Sequence, residues 1–176
     1  PIAYSLLPIA YSLLPIAYSL SPIAYSLSND LSKTNKPLRD SYFTIKNKTY
    51  SELKISKSKF ISQAMPFISQ SEIPGIINSV KKEFYDASHH PYAYRAGPDD
   101  NDYRFSDDGE PQGSSGKPIL EAIDKFQLTD IIVIVSRYFG GVKLGVGGLR
   151  RAMSEAAELC LAEAEITEKL ITEILK

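Results

Sequence analysis

The order of expected strands and helices predicts an α+β domain, a two-layer sandwich in which helices cover one side of a mixed sheet. Short alternating apolar runs and three helical patterns follow one another in the order βββ-α-ββ-α-β-α-β. Residues 131–135 form the second observation, because this run consists wholly of β-branched Ile and Val. Such a run is typical of a strand that is covered on both faces.

The first half of the domain is expected to contain three strands and one helix. Alternation predicts strands at 42–45, 50–55 and 59–66. The helix starts with Ser71 as N-cap and Pro74 in its first turn, where the missing N–H of proline is harmless. Its apolar residues recur at helical spacing: Ile73, Ile76, Ile77, Val80 and Phe84.

The second half pairs two short strands and adds two helices. Residues 92–96 and 103–107 predict a strand pair, and residues 165–175 alternate again as a last strand. The second helix begins near Lys117, and the third extends from Leu149 to about Glu163. The expected inward-facing residues of the two helices are Ile119, Leu120, Ile123 and Phe126, then Leu149, Met153, Ala156 and Cys160.

Composition is compatible with one ordinary domain and an appendage. The 176 residues include 43% hydrophobic residues, enough for a core, and the net charge of −1 does not mark a general nucleic-acid binder. The single cysteine, Cys160, excludes an internal disulfide framework. This usage fits a reducing compartment, so we expect a cytoplasmic protein.

The N-terminal segment is a repeat. Residues 1–28 are four copies of one heptad, Pro-Ile-Ala-Tyr-Ser-Leu followed by Leu or Ser. The recurrent Pro excludes a coiled coil, and with Ser it argues against a membrane span. We interpret the repeat as disordered or artefactual, a translated tandem repeat or a misplaced start, with a functional tether as the alternative. Polar residues 29–40 read as a linker, and the domain covers 41–176.

A basic glycine-rich turn is the strongest candidate site. The run 137–151 contains Arg137, Lys143, Arg150 and Arg151 and no acidic residue, and it leads into a helix N-terminus that favours phosphate. Its glycines are Gly140, Gly141, Gly145, Gly147 and Gly148. The spacing matches neither a Walker A loop nor a dinucleotide fingerprint. Alternatively, the glycines only permit a tight turn and Arg137 is a structural ion-pair partner.

Three carboxylates form a second candidate cluster. Asp107, Asp108 and Glu110 lie within four residues on an expected turn. Carboxylate oxygens can hold Mg²⁺, with waters and a phosphate completing its coordination. Capping and turn formation is the alternative that we favour. We therefore expect no resident cofactor, with magnesium as the exception to test.

The histidines and serines allow weaker hypotheses. His89 and His90 are adjacent and point to opposite faces of a strand, which disfavours a two-histidine metal centre and favours a structural or hydrogen-bonding role. Ser114 and Ser115 lie near a helix start, where serine is usually a cap. A hydrolase would need one of the histidines as its base, and the G-x-S-x-G elbow is absent.

Aromatic residues stand beside basic ones in the same region. The basic residues are Arg95 and Arg137, and the aromatic residues around the same motifs are Tyr92, Tyr94, Tyr103, Phe105, Tyr138 and Phe139. Aromatic rings near cations can stack on unpaired bases, although alternate strand residues belong to the core. We expect one or two of these rings to be exposed.

The motifs together resemble the IMPACT/YigZ family, known by its Impact N-terminal domain. They are residues 86–95 (Asp-Ala-Ser-His-His-Pro-Tyr-Ala-Tyr-Arg), 107–118 (Asp-Asp-Gly-Glu-Pro-Gln-Gly-Ser-Ser-Gly-Lys-Pro) and 136–148, which contains Arg-Tyr-Phe-Gly-Gly. The resemblance extends from about Ser41 to the end of the chain. Three residues depart from the pattern: Pro91 where Cys is expected, Arg150 where an apolar residue is usual, and Met153 where an aromatic is usual.

This resemblance implies a fold and a functional context. Family domains look like the second domain of a small-subunit ribosomal protein and like domain IV of the translocating elongation factor. Bacterial relatives carry a further ferredoxin-like domain, which we expect to be absent here. Eukaryotic members restrain starvation-response kinase signalling and so regulate translation.

We expect a non-enzymatic, translation-associated module that binds RNA or a ribosomal surface through residues 137–151. The competing hypothesis is a magnesium-dependent enzyme acting on a phosphorylated small molecule or nucleotide, and a third is a protein-interaction domain. Shape discriminates the first two, because a closed pocket enclosing both loops favours the enzyme and an open basic face favours RNA.

Overall fold

The structure, a computed structural model, describes residues 41–98 and 102–171. The repeat at 1–28, the linker at 29–40, residues 99–101 and residues 172–176, which include the end of the last expected strand, lie outside the described residues. The strands are β1 (Ser41–Ile45), β2 (Thr49–Ile55), β3 (Ser58–Pro66), β4 (Tyr92–Arg95), β5 (Tyr103–Ser106), β6 (Ile131–Tyr138) and β7 (Ile166–Leu170). The helices are α1 (Ile73–Glu83), α2 (Gly116–Lys125) and α3 (Gly145–Ala162).

Five strands form the main sheet in the order β2-β3-β6-β4-β5. The α+β class is confirmed, but the expected mixed sheet is corrected, because each neighbouring pair in this sheet is antiparallel. Hairpins fix this arrangement. Ser56 and Lys57 connect β2 to β3 and both have positive φ, the conformation of a two-residue turn that matches the twist of an antiparallel pair.

Helices cover both faces of the sheet. The odd-numbered residues of 131–135 lie in the core that contains residues of α2 and α3, whereas Ile132 and Ile134 lie in a second core with Ile73 and Val80 of α1. The prediction that this strand is covered on both faces is thus confirmed. The expectation that the helices share one side is wrong, because a strand that is apolar on both faces needs a helix on each.

The starts of two helices differ from the sequence expectation. Ser69, and not Ser71, caps the start of the first helical segment, in a capping box with Glu72 whose Oε1 accepts from the Ser69 backbone N–H at 2.9 Å. A 3₁₀ turn at Gln70–Glu72 separates this cap from α1, and Pro74 lies in the first turn as expected. Helix α3 begins at Gly145, four residues before Leu149.

The first and last described strands pair with each other. β1 and β7 form a separate antiparallel two-stranded sheet in which Ser41 lies opposite Leu170. The last predicted strand is therefore confirmed for residues 166–170. Within the part of the chain that is described, no helix has the length and apolarity needed to cross a bilayer.

Candidate functional site

A cleft of about 460 Å³ lies where the acidic and the glycine-rich loops meet the start of α3. Glu110, Arg137 and Lys143, from motifs far apart in sequence, all line it, together with His89 and Phe139. The first turn of α3 forms another part of its wall. We call this space the α3 cleft, and five of the site residues predicted from the sequence line it: His89, Glu110, Arg137, Lys143 and Gly145.

A buried ion pair borders the cleft. Arg137 Nη1 lies 2.6 Å from Glu110 Oε1, and the two residues are 6% and 9% exposed. The guanidinium carbon of Arg137 is 5.7 Å from the ring centre of Phe60 and 5.4 Å from that of Phe139. Arg137 is therefore a structural ion-pair partner, the alternative stated above. Its Nε–H is buried and has no hydrogen-bond acceptor among the described residues.

His89 presents a hydrogen-bond acceptor at the cleft. Its Nδ1 lies 2.8 Å from the backbone carbonyl oxygen of Asp108, and a carbonyl can only accept. In the neutral ring the proton is thus on Nδ1, which leaves the lone pair on Nε2. None of the described residues hydrogen-bonds to that Nε2.

The ring of His90 points away from that of His89, as expected for adjacent residues. Its ring is buried, and Nδ1 is joined to Ser136 Oγ at 2.9 Å. Burial is the main reason that the pKa of His90 lies below its ordinary value of 6.5. This histidine has the structural role that the sequence analysis favoured.

The mouth of the cleft carries positive potential. Lys143 is exposed and has no ion-pair or hydrogen-bond partner in the ranges that the structure describes. Helix α3 starts beside it with no side-chain cap and no acidic residue in its first turn. The free N–H groups and the helix dipole at such an end favour an anion.

The other two arginines of the basic run are directed elsewhere. Arg150 binds both carboxylate oxygens of Glu121, at 2.9 and 2.8 Å, and the carbonyl of Gly113. Arg151 lines a separate groove together with Glu155. The expected continuous basic face from Arg137 to Arg151 is corrected to a local one at the cleft, because successive helix residues point in different directions.

Some glycines of the basic run are required by the local backbone and others are not. Gly141 and Gly145 have φ of +82° and +69°, a conformation that other residues rarely adopt. Gly140 packs so closely on Lys57 that a Cβ would lie 1.9 Å from the Lys57 carbonyl oxygen. Gly147 and Gly148 belong to α3 and have no positive φ, so the turn does not require them.

The three carboxylates of the acidic turn diverge. Asp107 accepts from the backbone N–H groups of Gly113, Ser115 and Gly116 at 2.7 to 2.9 Å, and so caps the start of α2. Asp108 and Glu110 bind different partners. Among residues 41–98 and 102–171, no three His, Cys, Asp or Glu side chains are grouped to hold a metal ion. The structure thus fits capping and turn formation, and the magnesium cluster is not assembled.

Asp108 organises the loop behind the cleft. Its carboxylate accepts from Lys81 Nζ and from the His90 backbone N–H, both at 2.8 Å, while its carbonyl holds the ring of His89. Burial opposes ionisation, but the bonds from Lys81 and His90 outweigh it and lower the pKa of Asp108 below its ordinary value of 3.8. Lys81 was not predicted, because it lies on α1, 27 positions before Asp108 in sequence.

This lowered pKa predicts a pH dependence of stability. A depressed carboxyl pKa contributes stability that is present above its unfolded value and is lost as pH falls through the folded value. Asp108→Asn should therefore flatten the loss of folding stability below pH 3.8. Urea denaturation across the acid range measures this, with Glu155→Gln, an exposed acid on α3, as control. Parallel curves for Asp108→Asn and wild type would contradict the assignment.

The remaining predicted residues lie outside the cleft. Ser114 and Ser115 are fully buried, and Ser114 Oγ donates to the Pro111 carbonyl at 2.6 Å, so neither is placed as a nucleophile. Tyr94 packs edge-on against Phe67 in the core beside α1. Arg95 forms an ion pair with Asp124. The cap of α2 comes from Asp107, and no side-chain cap bond comes from Ser115.

Fold and cleft together define a two-core α+β domain with a ligand-sized, positively charged cleft. The Impact N-terminal domain matches residues 56–161, more than half of the chain, so the chain belongs to this family.

Several known proteins are similar to this chain. It is 38% identical over 135 residues to the IMPACT family member YvyE of Bacillus subtilis, covering 77% of this chain and 62% of that one. An IMPACT family member of Thermus thermophilus, encoded in the pol 5′ region, is 46% identical over 110 residues, covering 62% and 58%. The chain thus spans about three fifths of these relatives.

A solved structure supports the fold. It is described as the crystal structure of a hypothetical protein, and it aligns with a TM-score of 0.72 and 34% identity, covering 76% of this chain and 66% of that one. The α+β class is thereby supported by a solved structure.

Proposed function

We propose that this domain is a translation-associated module that binds RNA through the α3 cleft. The observation that carries the proposal is the exposed Lys143, which has no partner in residues 41–98 and 102–171, beside the uncapped start of α3 at the mouth of a cleft. In proteins, phosphate oxygens accept hydrogen bonds from lysine side chains and from the free N–H groups at a helix N-terminus. Family membership supports the link with translation that the resemblance implies.

The geometry favours a local contact with RNA. Arg150 is paired with Glu121, and Arg151 lies in another groove, so Lys143 is the cation of the run 137–151 that stands at the cleft mouth without a partner among the described residues. The logarithm of the binding constant falls linearly with the logarithm of the salt concentration, with a slope of about 0.7 for each contacted phosphate of a single strand. A protein that contacts one or two phosphates therefore has a binding affinity that depends only weakly on salt. We expect this shallow slope here.

Lys143→Ala should weaken RNA binding and reduce that slope by about 0.7. Filter binding of single-stranded ribosomal RNA fragments at about 50 and 200 mM salt measures both quantities. Arg151→Ala is the matched control, because it also removes one positive charge, from a residue of α3 that lies outside the cleft. Equal losses in the two variants, or no wild-type binding at the lower salt, would overturn the proposal.

A second candidate function is an enzyme acting on a phosphorylated small molecule or nucleotide. The observation that favours it is the cleft itself, which encloses residues of both loops and includes the Nε2 acceptor of His89. The carboxylate part of that hypothesis is not retained, because Asp107 and Asp108 are bound to other protein groups. Binding of a free mononucleotide distinguishes this candidate from RNA binding.

A further inference from the structure

The walls of the α3 cleft carry groups that suit a flat, polar ring. We infer that the cleft holds one unstacked nucleotide, with its base between Phe139 and His89 and its phosphate at Lys143 and the start of α3. This inference rests on the proposed function, and it adds the chemical class of the bound unit. The volume of the cleft, about 460 Å³, lies within the range of small-molecule sites and is too small for a duplex segment.

Phe139 offers a stacking surface. Its ring is 47% exposed at the end of β6, although it borders a cleft, and the guanidinium of Arg137 lies 5.4 Å from its centre. Glu110 holds that guanidinium in place, so the ring is backed by a fixed cation. Aromatic side chains next to arginine are the surfaces on which proteins stack single-stranded bases.

Arg137 also carries a buried donor without a partner in the part of the chain that the structure describes. The residue is more than nine-tenths buried and borders the cleft, yet its Nε–H has no acceptor within the described residues. Buried donors are nearly always paired, and an unpaired one is costly.

His89 supplies the complementary group. Because the Asp108 carbonyl accepts a hydrogen bond from Nδ1–H, Nε2 of the neutral ring is free to accept one from a ligand. An acceptor near an exposed aromatic ring matches a nucleobase, whose edge carries hydrogen-bond donors. A sugar phosphate lacks the flat ring that Phe139 would stack on.

The phosphate end of the ligand follows from the mouth of the cleft. Lys143 and the first turn of α3 are positive and lack partners among the described residues. An RNA strand and a free mononucleotide share this chemistry of base and phosphate. The experiment therefore needs both probes, and one probe without bases.

Phe139→Leu should weaken binding of a short labelled oligoadenylate by about tenfold, the effect of one lost base stack. The salt slope should stay unchanged, since no phosphate contact is removed, whereas Lys143→Ala lowers it. His89→Phe, which keeps a ring but removes the acceptor, should also weaken binding at constant slope. Fluorescence anisotropy measures these affinities, and thermal melts check that the variants are folded.

Two controls separate base recognition from charge. Phe105→Leu changes a ring on β5 that is 40% exposed and does not line the cleft, so its affinity should equal wild type. An abasic ribose-phosphate oligomer of the same length should bind wild type about tenfold more weakly than oligoadenylate. It should bind Phe139→Leu and wild type equally.

The outcomes distinguish this inference from the proposed function. If oligoadenylate and the abasic oligomer bind equally and Phe139→Leu has no effect, the base pocket is overturned while RNA binding through phosphate stands. If wild type binds neither, both proposals fail. If adenosine monophosphate binds as tightly as the oligomer with the same dependence on Phe139, the pocket is supported, and the RNA function gives way to the enzyme.

Discussion

Glu110→Ala is expected to lower the free energy of unfolding by about 3–5 kcal/mol, the usual effect of removing one partner of a buried ion pair. The side chains of Arg137 and Glu110 are 7% and 4% exposed and lie 2.6 Å apart. The variant therefore leaves a guanidinium charge buried without its carboxylate, beside an Nε–H that already lacks an acceptor. Urea denaturation monitored by circular dichroism measures the loss.

Two further variants make the result specific. Removing both charges in Glu110→Ala/Arg137→Met should recover much of the loss, because the uncompensated charge is gone. The exposed pair of Arg150 and Glu121 is the matched control, and Glu121→Ala should lower the free energy of unfolding by no more than about 1 kcal/mol. If Glu110→Ala and Glu121→Ala have the same effect, the Arg137 pair is not sealed from water.

Gly140→Ala should lower the free energy of unfolding by about 3 kcal/mol or more, at the upper end of overpacking effects. A Cβ at this position would meet the carbonyl oxygen and carbon of Lys57 at 1.9 and 2.1 Å, and backbone atoms cannot move aside as a flexible side chain can. Either the turn after β6 or the β2–β3 hairpin must shift. Thermal and urea unfolding of the variant measure the change.

Gly147→Ala is the matched control within the same glycine-rich run. It lies in the first turn of α3, and a Cβ there would lie 3.8 Å from Arg151 Nη1, an ordinary contact. Replacing a helical glycine by alanine should raise the free energy of unfolding by about 0.5–1 kcal/mol. Destabilisation of this variant would restore the idea that Gly147 forms the turn.

Much of the fold could be predicted because its pattern is local. Alternation placed the strands, and the β-branched run 131–135 revealed a strand covered on both sides. The start of α3 could not be read in this way. Glycine is a poor helix former, so residues 145–148 indicate a turn, and only the three-dimensional structure shows that the helix extends through them.

The site was predictable in its parts and not in its arrangement. The motifs identified Glu110, Arg137 and Lys143 as candidates. Glu110 and Arg137 are 27 positions apart, however, and the sequence does not show that they form an ion pair with each other. Sequence proximity also placed Arg151 in the basic face, which helix geometry prevents. The cap by Asp107 acts from nine residues before Gly116, beyond the reach of local capping patterns.

The pairing of β1 with β7 has a consequence for how this domain can be joined to other proteins. Ser41 lies directly opposite Leu170, and paired residues of antiparallel strands are only about 4.5–5.5 Å apart. A loop of a host protein could therefore be opened and this fold inserted without stretching the host. The same closeness would let a short peptide link the two strands, so that new chain ends could be opened elsewhere on the surface.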